Sequence, residues 1–177
     1  GGFIWQLTRY MYDTIRKYSP ADLRAPLAEV SISPESGSSN PHDVAVCGEM
    51  LLVTQYELPS ILVLDVEDLA PLGQIDLSSY AEDGNPESST MVRQGESVFV
   101  GLQNFERSGT GWVGVGSVVV EIGCQSLEVE QSWSFGNNLR LYESEEDGTI
   151  LGGTSAAAGI PGGIYSLETE TGAFELL

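Results

Sequence analysis

Hydrophobic and polar positions along this chain are grouped into short apolar runs with tight polar breaks between them. The clearest stretch is 40–78, where residues 43–47, 51–56, 60–66 and 72–77 form four such runs. Gly48-Glu49, Pro59 and Ala70-Pro71 separate them. Val, Ile, Leu, Thr and Tyr dominate the runs, and each is as long as an ordinary strand and too short for a helix. The pattern predicts a four-stranded antiparallel meander, with strands A, B, C and D in chain order.

The unit recurs. A shift of 46 residues lays Thr8-Arg9-Tyr10 over Thr54-Gln55-Tyr56 and Asp13-Thr14-Ile15 over Pro59-Ser60-Ile61. Asp22-Leu23-Arg24-Ala25-Pro26-Leu27 then matches Asp68-Leu69-Ala70-Pro71-Leu72, and Val30-Ser31-Ile32-Ser33 matches Ile75-Asp76-Leu77-Ser78. This first copy opens at a B strand. Residues 10–18 are also the one candidate helix, but the register match favours strands there. A third copy has its strands at 91–92, 97–103, 117–122 and 127–133. The fourth starts near Asn138 and has strands at 149–154, 163–167 and 173–177, with Gly172 suited to a hairpin turn of positive φ.

Repeats of roughly 40–50 residues that each form a four-stranded sheet are the signature of a β-propeller. One sheet cannot bury both its faces, so neighbours must stack on it. Ile61-Leu62-Val63-Leu64 and Val118-Val119-Val120 are apolar on consecutive residues, which requires cover on both faces. The expected fold is all-β, a propeller of about four blades at 1–37, 38–85, 86–135 and 136–177, forming part of a larger propeller. The incomplete first blade and the bare face of the last predict that the chain is not a free-standing monomer. Further blades of the same polypeptide, or a protein partner, are expected on the open end.

Asn40-Pro41-His42-Asp43-Val44-Ala45-Val46, then Leu52-Val53-Thr54-Gln55-Tyr56, then Ile61-Leu62-Val63-Leu64-Asp65, resembles the bacterial YVTN propeller repeat of surface and secreted proteins. Leu52 stands where that repeat has Tyr, and Gln55 where it has Asn or Arg. The resemblance implies architecture and an extracytoplasmic (periplasmic, cell-surface or secreted) setting. It implies little about activity, because propellers carry many functions.

Charge narrows the partners. The chain has 26 acidic against 7 basic residues, a net charge of −19, and Lys17 is its one lysine. Phosphate backbones and anionic membrane surfaces need clustered Lys and Arg, so nucleic acid and such membranes are excluded. No apolar stretch reaches the 18 residues of a transmembrane helix. The two cysteines, Cys47 and Cys124, fall at an A–B turn and a C–D turn. Both turns belong to one face, but strand A is central and strand C peripheral, which works against the approach of about 7 Å that a disulfide needs. The pairing stays open.

Candidate chemistry is sparse. Gly109-Thr110-Gly111-Trp112-Val113-Gly114 fits G-x-G-x-x-G but precedes a strand and opens no helix, so it reads as a flexible B–C loop over 104–116. Phe105, Arg107 and Trp112 make that loop a candidate partner-binding element. His42, the lone histidine, cannot build a histidine metal site, and no nucleophile elbow exists. Asn40, His42, Asp43 and Asn138 are the candidate ligand-binding set at the blade starts. Asp83, Asn85 and Glu87 supply oxygen ligands of the kind calcium takes, although no EF-hand spacing is present. No catalytic residue and no other cofactor is assigned. The expected function is a non-catalytic binding or scaffolding module. The alternatives are a lactonase-like or cyclase-like propeller hydrolase with a carboxylate-held metal at the channel mouth, and a structural subunit of a larger assembly.

Overall fold

The consecutively apolar runs form middle strands of antiparallel sheets in the computed structural model, which describes residues 2–10, 12–108, 111–144, 148–155 and 162–177. For Arg107 and Ser108 the backbone alone is described. The first sheet has three strands, β1 (Ile4–Thr8), β2 (Thr14–Tyr18) and β3 (Ala28–Ser31). The second has β4 (Pro41–Cys47), β5 (Met50–Gln55), β6 (Ser60–Asp65) and β7 (Pro71–Asp76) in that order. The third starts with β8 (Ser88–Gln94) and β9 (Ser97–Leu102). A separate hairpin, β10 (Phe105–Ser108) and β11 (Gly111–Gly114), then interrupts it before β12 (Ser117–Gly123) and β13 (Val129–Phe135) complete it. The fourth is β14 (Asn137–Glu143), β15 (Thr149–Ser155), β16 (Gly163–Glu168) and β17 (Ala173–Leu176). One 3-10 turn, Ser78–Tyr80, is the only helical element among the described residues.

Three cores fill the spaces between successive sheets. Leu51, Val53, Leu62 and Leu64 of the second sheet pack with Ile15, Trp5 and Leu7 of the first. From its other face, Leu52, Ile61 and Val63 pack with Val98, Val100, Val120 and Ile122 of the third. Phe99 and Val119 pack with Leu139, Ile150 and Leu167 of the fourth. The alternation along β5 and β6 thus feeds two cores at once, which is why every second residue need not be polar. Outer strands have no such demand, and β7 is exposed over most of its length. No core among the described residues joins the fourth sheet to the first.

The sheets are also joined by hydrogen bonds at their inner ends. Each inner strand starts with a bulge, where pairing shifts between Pro41 and Val44, between Ser88 and Met91, and between Asn137 and Arg140. The bulged side chain reaches the next inner strand. Asp43 Oδ2 accepts from the Met91 N–H at 2.8 Å, and Thr90 Oγ1 accepts from the Leu141 N–H at 2.7 Å. Thr54 Oγ1 donates to the Ser89 carbonyl at 2.9 Å. Between the first and second sheets, Lys17 Nζ donates to Glu67 Oε2 at 3.0 Å and lies 4.0 Å from the centre of the Phe3 ring.

Several expectations change here. Cys47 and Cys124 form a disulfide, with Cα atoms 5.2 Å apart. The Cys124 N–H donates to the Glu96 carbonyl, so this C–D turn lies against the A–B turn of its own sheet, next to Cys47 of the preceding one. Strands A and C lie apart within one sheet, but stacking brings the turns of neighbouring sheets together. The loop at 104–116 is a hairpin, with Phe105 opposite Gly114 and Arg107 opposite Trp112. As the register match predicts, the described residues of 10–18 hold β2 and no helix. The first repeat slips by one residue in its B strand. Ile15, the counterpart of Ile61, pairs with Leu7, whereas Ile61 pairs with Thr54, so Leu7 and not Thr8 corresponds to Thr54. The third D strand begins at Val129, because Leu127 is held in a left-handed turn at φ 54 with its N–H on the Gly123 carbonyl. Gly172 does take a positive φ, 70°, and a side chain there would run into Trp133.

Candidate functional site

The connections that follow the second strands, together with the one that leads into β8, build an aromatic cleft. Tyr10 follows β1 and Tyr56-Glu57 follow β5, each directly after a second strand of the repeat. Glu87 immediately precedes β8, and Phe105 and Trp112 come from the two arms of the inserted hairpin. These six side chains line a cavity of about 340 Å³. Trp112 is 67 % exposed and Tyr10 59 %, so the aromatic surface is presented outward.

Glu87 is the floor of the cleft. It is only 6 % exposed. Its backbone takes the left-handed conformation at φ 48, matched by Asn40 at φ 48 ahead of β4. Asn adopts that region readily and Glu does not, so the carboxylate position is held against a backbone cost. Two groups hold it. The Gln103 N–H donates to the Glu87 carbonyl at 3.3 Å, and the Phe105 N–H donates to Glu87 Oε2 at 2.8 Å. Burial pushes the Glu87 carboxyl up to about 7. The Phe105 hydrogen bond opposes this, and the nearby Asp83 and Glu57 add to it. Tyr56 is pushed up to about 12 by burial and by Glu87 and Glu57. Its hydroxyl donates to Gln103 Oε1 at 2.9 Å.

Behind Tyr56 stands a polar wall. His42 stacks on the Tyr56 ring, 4.4 Å between centroids at 13°. Arg9 contacts His42 Nε2 and donates from Nε to Asn40 Oδ1 at 2.8 Å. Asn40 in turn donates to Glu57 Oε1 at 3.2 Å. Burial, with Arg9 and Arg140 nearby, pushes His42 down to about 4, so it is neutral at physiological pH.

The expected site residues therefore divide. Phe105, Trp112 and Glu87 meet in the cleft, and Asn40 and His42 support its wall. Asp43 instead accepts the Met91 and Val44 N–H groups, and burial raises its carboxyl. Asn138 lies in the bulge of β14, two sheets away, at φ 53. The Arg107 side chain falls outside the described residues. Asp83 Oδ1 accepts from the Asn85 N–H at 2.9 Å, while Asn85 donates to the Tyr56 carbonyl. Among the described residues no three or more His, Cys, Asp or Glu side chains converge as a metal site would need. Tyr10, Tyr56 and Glu57 were not singled out from sequence. The overlay of Tyr10 on Tyr56, two aromatics directly after second strands, was the signal available.

No family model matches the chain, and no curated protein matches it. Solved structures do. The extracellular domain of the putative one-component system BT4673 from B. thetaiotaomicron is 15 % identical with a TM-score of 0.53, covering 98 % of this chain and 21 % of that one. The Pyrococcus horikoshii acylaminoacyl peptidase is 11 % identical with a TM-score of 0.54, covering 99 % and 30 %. Kuenenia stuttgartiensis hydrazine synthase is 15 % identical with a TM-score of 0.46, covering 93 % and 59 %. The likeness to the extracellular domain and the peptidase is one of fold, and it fits a β-propeller. The chain spans less than two thirds of each of these solved chains. Among the described residues no helix is long and apolar enough to cross a membrane.

Proposed function

We propose that this chain is a non-catalytic binding module, built from propeller blades in an extracytoplasmic protein, and that the aromatic cleft is its binding site. The observation that carries the reading is the cleft of Tyr10, Tyr56, Phe105 and Trp112 over the buried Glu87, with elements of three sheets contributing. Such a concave, mainly apolar site with a few placed polar groups is what ligand recognition uses. Two features support the setting. The Cys47–Cys124 disulfide persists in oxidising compartments, and a net charge of −19 suits a solvated exterior there. The four sheets act as blades of a wider ring or assembly. Tyr142 and Ile164, exposed on the fourth sheet, are the apolar surface that a further blade or a protein partner covers.

The test is ligand-observed NMR with a set of small aromatic and aliphatic fragments, on the wild type and on Trp112→Ala. Binding that Trp112→Ala abolishes, with the melting temperature unchanged, supports the cleft as the site. Fragment binding that ignores Trp112→Ala refutes it. Light scattering on the isolated chain tests the assembly reading, which a monodisperse, cooperatively folded monomer would overturn.

One observation favours an enzyme instead: Glu87, with its carboxyl pushed up to about 7, is matched to general acid–base work. A lactonase-like or cyclase-like hydrolase would also need a metal. Stoichiometric calcium or zinc in the purified protein, with esterase or lactonase turnover lost in Glu87→Gln, would decide for it.

A further inference from the structure

We propose that the cleft recognises an alkylammonium group, most simply a quaternary ammonium, held against the aromatic rings with Glu87 and Glu57 as counter-charges. This inference rests on the cleft being a binding site and names what it binds.

Two independent features point the same way. Four aromatic side chains line one cavity, and ring faces attract cations through their quadrupoles, most strongly when water is displaced. Two carboxylates share that lining. An anionic ligand would meet both, and a neutral apolar ligand would offer no counter-charge to add to the Phe105 N–H that Glu87 already accepts. The volume of about 340 Å³ is ample for a small ammonium compound.

Asp83, from the connection ahead of β8, acts on Glu87 in the same sense as Glu57. Tyr56, pushed up to about 12, is a neutral phenol at neutral pH. Among the described side chains Arg9 is the opposing cation next to the cleft. Its guanidinium is 5.4 Å from the Tyr10 ring and engages Asn40 and His42. It therefore supports the wall behind Tyr56 and leaves Glu87 to the cleft.

The raised Glu87 carboxyl adds a pH dependence. A bound cation favours the ionised Glu87, so binding releases the proton that Glu87 holds below about pH 7. Affinity should rise between pH 6 and pH 8.

The experiment is calorimetric titration of the whole 177-residue chain with choline, with its neutral isostere 3,3-dimethylbutan-1-ol, and with Nε-trimethyllysine capped as the acetyl amide. Choline or the lysine derivative should bind at least tenfold more tightly than the isostere, and more tightly at pH 8 than at pH 6. Preference between the two cations distinguishes a free small molecule from a partner's side chain. Glu87→Gln, which keeps an acceptor for the Phe105 N–H, should remove the pH dependence and most of the preference over the isostere. Trp112→Ala should weaken both cations at least fivefold. Circular dichroism and melting temperature confirm that each variant is folded. Equal binding of choline and the isostere overturns the ammonium reading and leaves the cleft as a site. No binding of either cation, with the aromatic fragments still bound, does the same. If the fragments also fail, the binding reading falls with it.

Discussion

The disulfide offers the most quantitative test of how the sheets are joined. Cys47 and Cys124 are 77 residues apart and belong to different sheets, and both are buried in the core between the second and third. Closing a loop of that length lowers the entropy of the unfolded chain, which stabilises the fold by about 4.5 kcal/mol on the chain-entropy relation. For a domain of this size each kcal/mol moves the melting temperature by roughly 2–4 °C. The double substitution Cys47→Ser/Cys124→Ser should therefore melt about 9–18 °C lower. Differential scanning calorimetry on wild type, on wild type with reductant, and on the double variant gives the answer. Reductant should bring the wild type close to the double variant and leave the variant unchanged. Hydrogen exchange should quicken first in β4, β8 and β12, with the core between β9 and β15 protected longer. A shift under about 2 °C would sink the reasoning, because the second and third sheets would then hold together without the covalent joint.

The remaining predictions concern charge and joints. Between about pH 4.5 and 7 the folded protein holds a proton on Glu87 that the unfolded chain releases, so stability from this group falls as pH rises. His42 does the reverse: it stays neutral in the fold down to about pH 4, so its contribution is present above about 6.5 and is lost as pH falls. The two slopes oppose each other. Glu87→Gln should expose a rising profile and His42→Gln a falling one, each of about 1–2 kcal/mol after solvent screening, in urea melts taken across this range. Asp43→Ala removes the acceptor of two backbone N–H groups and should cost about 1–3 kcal/mol in the same melts, whereas Asp43→Asn should recover part of it. Lys17→Met should change stability by less than about 1 kcal/mol. The lysine side chain is 2 % exposed but Glu67 is 85 % exposed, so its loss strands no buried charge. A fall of several kcal/mol would show that the ammonium group itself holds the first sheet to the second.

Legibility followed the physics of each element. β6 and β12 were readable because apolar residues follow one another without polar breaks, five buried positions in succession in β6 and buried positions on both faces of β12, which leaves no alternative to a strand covered on both faces. The start of the third D strand was not. Leu127 is apolar and β-prone in its neighbourhood, yet it occupies a left-handed turn, as Leu69 does at φ 63 in the preceding sheet. A leucine that anchors a turn looks in sequence like one that opens a strand. The hairpin at 105–114 was hidden because Gly and Thr dominate its tip and β11 is largely exposed. The cleft was half legible. Trp112 and Glu87 stood out as an isolated aromatic and a loop carboxylate, but only stacking of three sheets brings Tyr10 and Tyr56 beside them. The B-strand slip in the first repeat arose from one extra residue in the connection after Leu7, which identity matching at Thr8 concealed.

The bulges at the inner strands carry a consequence for how such a chain drifts over time. What the joint between two sheets requires is an oxygen that accepts one backbone N–H, and Asp43 and Thr90 both supply it. The partner, the amide of Met91 or Leu141, makes no demand on side-chain identity at all. Successive copies of the unit are thus free to exchange a carboxylate for a hydroxyl at the joint and to vary its partner among apolar residues. Architecture is inherited as a grammar of acceptors and amides, while the vocabulary is replaced. A chain built this way can share its fold with solved structures at only 11–15 % identity.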